Sequence, residues 1–146
     1  MRLALGSDGE RRAACASLAA SQPGAADPIV VWLQAAEHRA FALIAPQRLA
    51  PGRLWRWSAW GGMPAVAACR LLGVPAYLED DAIWLHGRRV AEIRASRVGD
   101  FAMVEGVFPR RIAAEPRLEA AFRERIEAQH GWRFDTAWPS GVEVRR

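Results

Sequence analysis

The chain has 146 residues, of which 51% are hydrophobic and 25% are charged. This length and composition fit a single folded domain over residues 1–146 and exclude a disordered chain or a repeat array. The formal net charge is +4. Lysine and arginine together number 20, and all 20 are arginine. Because lysine is absent, the sequence excludes chemistry that needs a lysine Schiff base, a lysine general base or the lysine of a phosphate-binding P-loop.

The two cysteines, Cys15 and Cys69, lie far apart and belong to no CxxC motif. They indicate neither a zinc site nor a disulfide framework, so we predict no metal ion. The N-terminal segment has too few apolar residues for a signal peptide, and no later segment is long and apolar enough to span a membrane. The expected location is therefore the cytoplasm, with no membrane partner.

The first half of the chain contains one predicted helix and several predicted strands. A capping-box pattern, Ser7 followed by Glu10, predicts a helix that runs to Leu18. Runs rich in β-branched and aromatic residues, bounded by turn residues, predict the strands of this half. These predicted strands are Leu3–Leu5, Ile29–Leu33 and Arg39–Ala45, the last two paired as a hairpin, and an extended segment Leu54–Trp60 with Trp55 and Trp57 on one face.

The second half is predicted to contain two helices with a meander of strands between them. A helix is expected over Ala65–Leu72, with Pro64 in its first turn and Gly73 as its C-terminal cap. A second helix is expected from Pro116 to about His130, closed by Gly131. Between them the pattern predicts an acidic turn at Glu79–Asp81 and a meander of strands: Val74–Leu78, then Ala82–His86 and Arg89–Ala95 joined by a turn at Gly87–Arg88, then Phe101–Phe108.

The central segment resembles the core of the biotin and lipoate protein ligase family. The family signature is a Trp-Pro-Asn-Asp turn, a strand, a Gly-Arg-Lys hairpin turn, a Val-Ala-Gly-Ile return strand and a Gly-Ile-Gly-Ile-Asn strand. This chain has, in the same order, Leu78-Glu-Asp-Asp81, Gly87-Arg-Arg89, Val90-Ala-Glu-Ile93 and Val104-Glu-Gly-Val-Phe108. Gln34 stands where the family has the glutamine of its Gly-rich loop.

The resemblance implies an α+β fold, with a mixed β-sheet and helices packed on one face, as in the ligases and the related class II aminoacyl-tRNA synthetases. It also implies a pocket for a small carboxylic acid such as biotin or lipoate. The residues that match the family motifs are the candidate ligand-binding residues of this chain. They are Gln34, Asp81, Gly87, Arg88, Arg89 and Gly106.

The departures from the family fall on its chemistry. The family lysine, which contacts the acyl carboxylate and the phosphate, is replaced by Arg89, whose planar head is wider and not equivalent to an ammonium. The Gly-rich loop is missing after Gln34, and Glu92 replaces the glycine of the return strand. We therefore predict no catalytic residue and no cofactor, and expect a degenerate ligase-like domain that binds a partner protein or a small acyl ligand.

Three alternatives stay open at this stage. The chain could retain biotin or lipoate ligase or acyltransferase activity. Asp81, Glu92 and Arg94 are spaced like the acids and the basic residue of a magnesium-dependent nuclease, although that basic residue is normally lysine. An aromatic and basic segment could stack single-stranded nucleic acid, although nucleic acid is the less favoured partner. Its residues are Arg53, Trp55, Arg56, Trp57 and Trp60.

Overall fold

The computed structural model describes residues 2–4, 17, 27–34, 38–134 and 143–144. Within this part of the chain, eight strands form one sheet in the order β4-β5-β6-β7-β3-β2-β1-β8. The strands are β1 (Arg2–Ala4), β2 (Ile29–Gln34), β3 (Arg39–Pro46), β4 (Tyr77–Glu79), β5 (Ala82–Leu85), β6 (Arg88–Val98), β7 (Phe101–Val107) and β8 (Glu143–Val144). β1 runs parallel to β2 and β8, and the other neighbours are antiparallel. The mixed sheet is as predicted.

Three α-helices are described: α1 (Trp57–Leu71), the short α2 (Arg110–Ala113) and α3 (Leu118–His130). Two 3-10 turns, Gln47–Leu49 and Leu54–Arg56, precede α1. None of the described helices combines the length and the apolar character that a membrane crossing requires. The helix predicted over Ser7–Leu18 lies outside the described residues, apart from Ser17, which is helical.

Helices α1 and α3 cover one face of the sheet, where alternate strand residues form the main core. Its centre is an aromatic cluster, in which the Phe41 and Phe122 rings lie 4.9 Å apart and the Trp32 and Phe108 rings 5.4 Å apart. All four side chains are buried. Tilted ring pairs at these distances add stabilisation beyond the area that they bury. The predicted packing of helices on one face of the sheet is therefore confirmed.

Helix α1 approaches the sheet closely because two glycines face it. A Cβ added to Gly61 would lie 2.5 Å from the Val104 Cβ, and one added to Gly62 would lie 3.2 Å from Ile93 Cγ2. No real Cβ tolerates the first of these distances. The Gly61-Gly62 pair thus sets how near the backbone of α1 lies to strands β6 and β7.

The start of α1 differs from the prediction. Leu54–Trp60 is not extended: it forms a 3-10 turn and then the first residues of the helix, which begins at Trp57 rather than near Ala65. Pro64 therefore lies inside the helix and cannot donate a hydrogen bond to the Trp60 carbonyl. The side-chain amide of Gln129 in α3 donates to that carbonyl at 3.1 Å. This bond from a neighbouring helix replaces the one that proline removes.

Strands β4 to β6 form a meander with two tight turns. Asp80 and Asp81 have φ of 48° and 55°, and His86 and Gly87 have φ of 52° and 74°. Positive φ at both central residues is typical of the two-residue turns that match the twist of antiparallel strands. The hairpin of β5 and β6 and the acidic turn are confirmed. The centre of the second turn is His86-Gly87, however, and Arg88 is already the first residue of β6.

Candidate functional site

The exposed side of strand β6 carries a cluster of three charges. Arg89 Nη2 lies 3.5 Å from Glu92 Oε1, and Arg94 Nη2 lies 3.1 Å from Glu92 Oε2. One carboxylate thus contacts two guanidinium groups. About half of each side chain is exposed, so these ion pairs contribute little to the stability of the fold. They do determine which charges this side of β6 offers to a ligand.

A β-bulge explains why Arg89 reaches Glu92. Residues three apart in a regular strand point to opposite faces of the sheet. Here Ala82 is paired with Glu92 and Trp84 with Arg89, so one extra residue of β6 lies between the paired positions. Because Ala82 and Trp84 point to the same face, the bulge brings Arg89 and Glu92 to that face as well.

The six candidate residues do not converge on one point. Asp81 lies in the turn before β5, whereas Gly87 lies in the turn after it, so the length of β5 separates them. Arg88 pairs with Leu85 and Arg89 with Trp84, which places these neighbouring arginines on opposite faces of the hairpin. A ligand-binding role for the set as a whole stays a prediction.

Gln34 and Gly106 lie on the central strands. Gln34 ends β2, where its backbone pairs with Arg39, and two strands separate β2 from β6. Gly106 faces the core, and a Cβ at this position would lie 2.5 Å from Ile93 Cδ1 and 2.9 Å from Phe41 Cε1. Packing between these two side chains accounts for a glycine at position 106.

The opposite face of the central strands is also closed to solvent. On this face, Glu105 of β7 is only 6% exposed and pairs through its backbone with Arg94 of β6 and with Ala42 of β3. Its neighbours on β2, β3 and β7 are buried apolar residues. They are Val31, Ala42, Ile44 and Met103.

Two other features considered from the sequence are a metal site and the cysteine Cys69. Within the described part of the chain, no group of three or more His, Cys, Asp or Glu side chains could hold a metal ion. Cys69 lies in the core, and burial raises the pKa of its thiol to about 11. A thiol with such a pKa is protonated at neutral pH and is a poor nucleophile.

The predicted aromatic face for nucleic acid does not form. Trp57 is only 2% exposed, and its indole Nε1 donates to the Pro51 carbonyl at 2.7 Å. Trp60 packs against His130 and Trp132, with ring centroids 5.3 and 6.2 Å away. Trp55, by contrast, is 68% exposed. The segment begins a helix instead of a strand, and this turns the three indoles in different directions.

Among the clefts of the described part of the chain are two whose lining does not include Arg89. The first, of about 410 Å³, lies beside Arg70 and Gly73–Tyr77. The second, of about 360 Å³, lies between the 3-10 turn before α1 and strand β6. It is lined by Leu54, Trp55, Ser58, Asp81, Ile93, Arg94 and Ala95. We refer to this second one as the Trp55 cleft.

Several solved structures share this architecture. The chain superposes on a biotin acetyl-coenzyme A carboxylase synthetase from Helicobacter pylori with bound biotinylated ATP, with a TM-score of 0.63, 11% identity and coverage of 88% of this chain and 74% of that one. The fold is that of the biotin and lipoate protein ligases. A protein of T. acidophilum considered a lipoate protein ligase, with bound lipoic acid, gives a TM-score of 0.67 at 10% identity, covering 99% and 88% of the two chains.

A third similar structure is a biotin protein ligase-like protein of unknown function from Silicibacter, with a TM-score of 0.58 at 16% identity over 90% of this chain and 70% of that one. No protein-family model matches the sequence, and no curated protein does either. The predicted ligase-like fold is therefore confirmed by structure alone, at identities that show the fold and nothing finer.

Sequence reasoning did not find the pairing of Arg89 with Glu92 or the Trp55 cleft. The replacement of the family glycine by Glu92 was visible in the sequence. Its contact with Arg89 depends on the bulge in β6, for which the sequence carries no signal that we recognise. The cleft depends on the early start of α1, which the Gly61-Gly62 pair and Pro64 conceal because such residues usually mark a loop.

Proposed function

We propose that this chain is a ligase-like domain that makes no acyl-adenylate and whose role is to bind a partner. The observation that supports this most directly is the contact of Arg89 with Glu92. Arg89 stands at the position of the family lysine, which the resemblance assigns to the acyl carboxylate and the phosphate. Here an internal carboxylate lies 3.5 Å from its guanidinium.

A ligand carboxylate at Arg89 would compete with Glu92 on unequal terms. Glu92 is tethered three residues away, so it competes at a high effective concentration. It would also repel the arriving carboxylate by about 1 kcal/mol at 4 Å even in bulk water. A triphosphate carries more negative charge than a carboxylate and would meet stronger repulsion. The Arg89 cation is therefore less available to an acyl carboxylate or a phosphate than an unpaired cation would be.

A small carboxylic acid is the second candidate partner. The solved structures with this fold include proteins with bound lipoic acid and with bound biotin and ATP. The side chains of Arg89 and Arg94 are both half exposed, and two guanidinium groups share the single carboxylate of Glu92. Such a ligand would therefore bind weakly, in the place that Glu92 now occupies.

Calorimetric titration with ATP, biotin, lipoate and octanoate tests the proposal. We expect no ATP binding by the wild type, and tighter binding of the acids by Glu92→Gly, because this substitution releases Arg89. Glu124→Gln, which removes another exposed and ion-paired carboxylate, is the control for the change of net charge. Micromolar ATP binding by the wild type that is lost in Arg89→Ala would contradict the proposal.

A further inference from the structure

The 3-10 turn before α1 displays two large apolar side chains beside a cleft. Trp55 is 68% exposed and Leu54 is 42% exposed. Both line the Trp55 cleft, whose other side is formed by Ile93 and Ala95 of β6. Its volume of about 360 Å³ lies within the range of about 300–1,000 Å³ that is usual for binding sites.

Hydrogen bonds fix the backbone on both sides of Trp55. The Arg56 amide donates to the Arg53 carbonyl at 3.0 Å, which closes the turn. The next residue, Trp57, is buried and hydrogen-bonded to Pro51. An exposed indole on a braced turn costs little ordering entropy when a partner binds. Tryptophan and arginine are also the residue types that contribute most to binding energy at protein interfaces.

The cleft is lined by one acid, Asp81, and one arginine, Arg94, and further arginines lie next to its aromatic side. The Arg56 guanidinium lies over the Trp55 ring at 5.0 Å, and that of Arg97 lies over the Trp57 ring at 5.5 Å. Neither of these arginines, nor Arg53, forms an ion pair with a carboxylate within the part of the chain that the structure describes. These three guanidinium groups are therefore available to carboxylates of a partner.

We infer that the Trp55 cleft and its surrounding arginines form a docking surface for an acidic peptide segment with one aromatic or aliphatic anchor residue. The anchor enters between Trp55 and Ile93, and the flanking carboxylates meet Arg53, Arg56 and Arg97. This inference rests on the proposed binding role and gives that role a partner of defined chemistry.

An acidic peptide fits this surface better than single-stranded nucleic acid. Stacking of successive bases needs several exposed aromatic rings, but Trp57 is buried and Trp60 packs against His130 and Trp132. Asp81 lines the cleft and Glu92 contacts Arg94, so negative charge inside the cleft is disfavoured for a phosphate and for a carboxylate alike. An uncharged anchor side chain avoids that repulsion while its flanking acids reach the arginines.

Fluorescence anisotropy with a labelled oligoglutamate peptide that carries one central phenylalanine tests the inference. We expect binding at low salt that weakens as salt rises, because exposed ion pairs are screened. Trp55→Ala is expected to lower the affinity on the order of tenfold. Leu71→Ala, a similarly exposed apolar residue at the other end of α1, is expected to leave it unchanged. Circular dichroism verifies that both variants are folded.

Two probe controls separate the occupants. The same peptide with alanine in place of phenylalanine should bind more weakly, and an oligodeoxythymidylate strand should bind more weakly than the peptide. Absence of peptide binding, equal binding by Trp55→Ala, or preference for the oligonucleotide would each overturn the inference. These outcomes are independent of ATP titration, so binding of both ATP and the peptide would contradict the proposed function and retain this surface.

Discussion

The two faces of strand β6 carry different kinds of side chain: one is apolar and tightly packed, and the other is charged and half exposed. On the helix side, Ile93 packs against Gly62 and Gly106, and an added Cβ would lie 3.2 Å from Ile93 at the first glycine and 2.5 Å from it at the second. On the other side, Arg89, Glu92 and Arg94 form half-exposed ion pairs. The first side preserves the architecture shared with the ligases, and the second carries charges where the family motif has a glycine and a lysine. Packing can thus preserve a fold while the charged residues beside it differ from the family motif.

The largest effect is expected from breaking the packed side. Gly61→Ala would place a Cβ 2.5 Å from the Val104 Cβ, which belongs to the stem of that side chain and cannot rotate away. Overpacking of this kind costs about 1–3 kcal/mol of unfolding free energy, measured by urea denaturation. Gly52→Ala is the matched control, because nothing lies within 4 Å of its added Cβ. Equal stability of the two variants would contradict the close packing of α1.

An intermediate effect is expected from pH at the end of α3. His130 stacks on Trp132 at 4.4 Å, and its buried Nε2 has no hydrogen-bond partner within the described residues. Burial lowers the pKa of His130 below its ordinary value of 6.5. The unfolded chain therefore binds this proton more readily, so stability is fully present above about pH 6.5 and falls as the pH drops toward the folded-state pKa.

The measurement is the unfolding free energy of the wild type and of His130→Phe on both sides of this pH. The difference between the unfolding free energies of the two proteins at each pH cancels the contribution of the exposed carboxylates, which both proteins share. The wild type is expected to lose more stability on acidification than the variant does. A difference that is constant with pH would show that His130 is not desolvated in the folded protein.

The smallest effect on stability is expected on the charged side of β6. Glu92→Gln removes both ion pairs, yet these are half exposed, so the cost should stay below about 1 kcal/mol. Urea denaturation measures it, with Glu124→Gln as the control because Glu124 forms a comparable exposed pair with Arg125. A loss of several kcal/mol would mean that this cluster supports the fold and does not simply occupy the place of a ligand.

The sequence was informative where local signals decide the structure. Alternating apolar residues and tight-turn residues identified the β5–β6 hairpin, and the apolar spacing with Gly131 as cap identified α3. The prediction failed at Leu54–Trp60, where the helix continues through Pro64 and Gln129 satisfies the freed carbonyl of Trp60. A contact between residues so distant in sequence cannot be inferred from local pattern.

The candidate site shows the same division. That Arg89 and Glu92 depart from the family motif could be read directly from the sequence. That they contact each other could not, because in an unbroken strand they would point to opposite faces. The exposure of Trp55 could not be predicted either. The chain has seven tryptophans, and tertiary packing decides which of them are buried.

Acid-dependent exchange of pyrophosphate with ATP tests whether this chain, which has the ligase fold, forms an acyl-adenylate. The exchange detects reversible formation of an acyl-adenylate, whichever acid is activated. We expect that biotin, lipoate and octanoate produce no exchange above the rate without acid. Exchange that depends on one of these acids and disappears in Arg89→Ala would contradict this expectation.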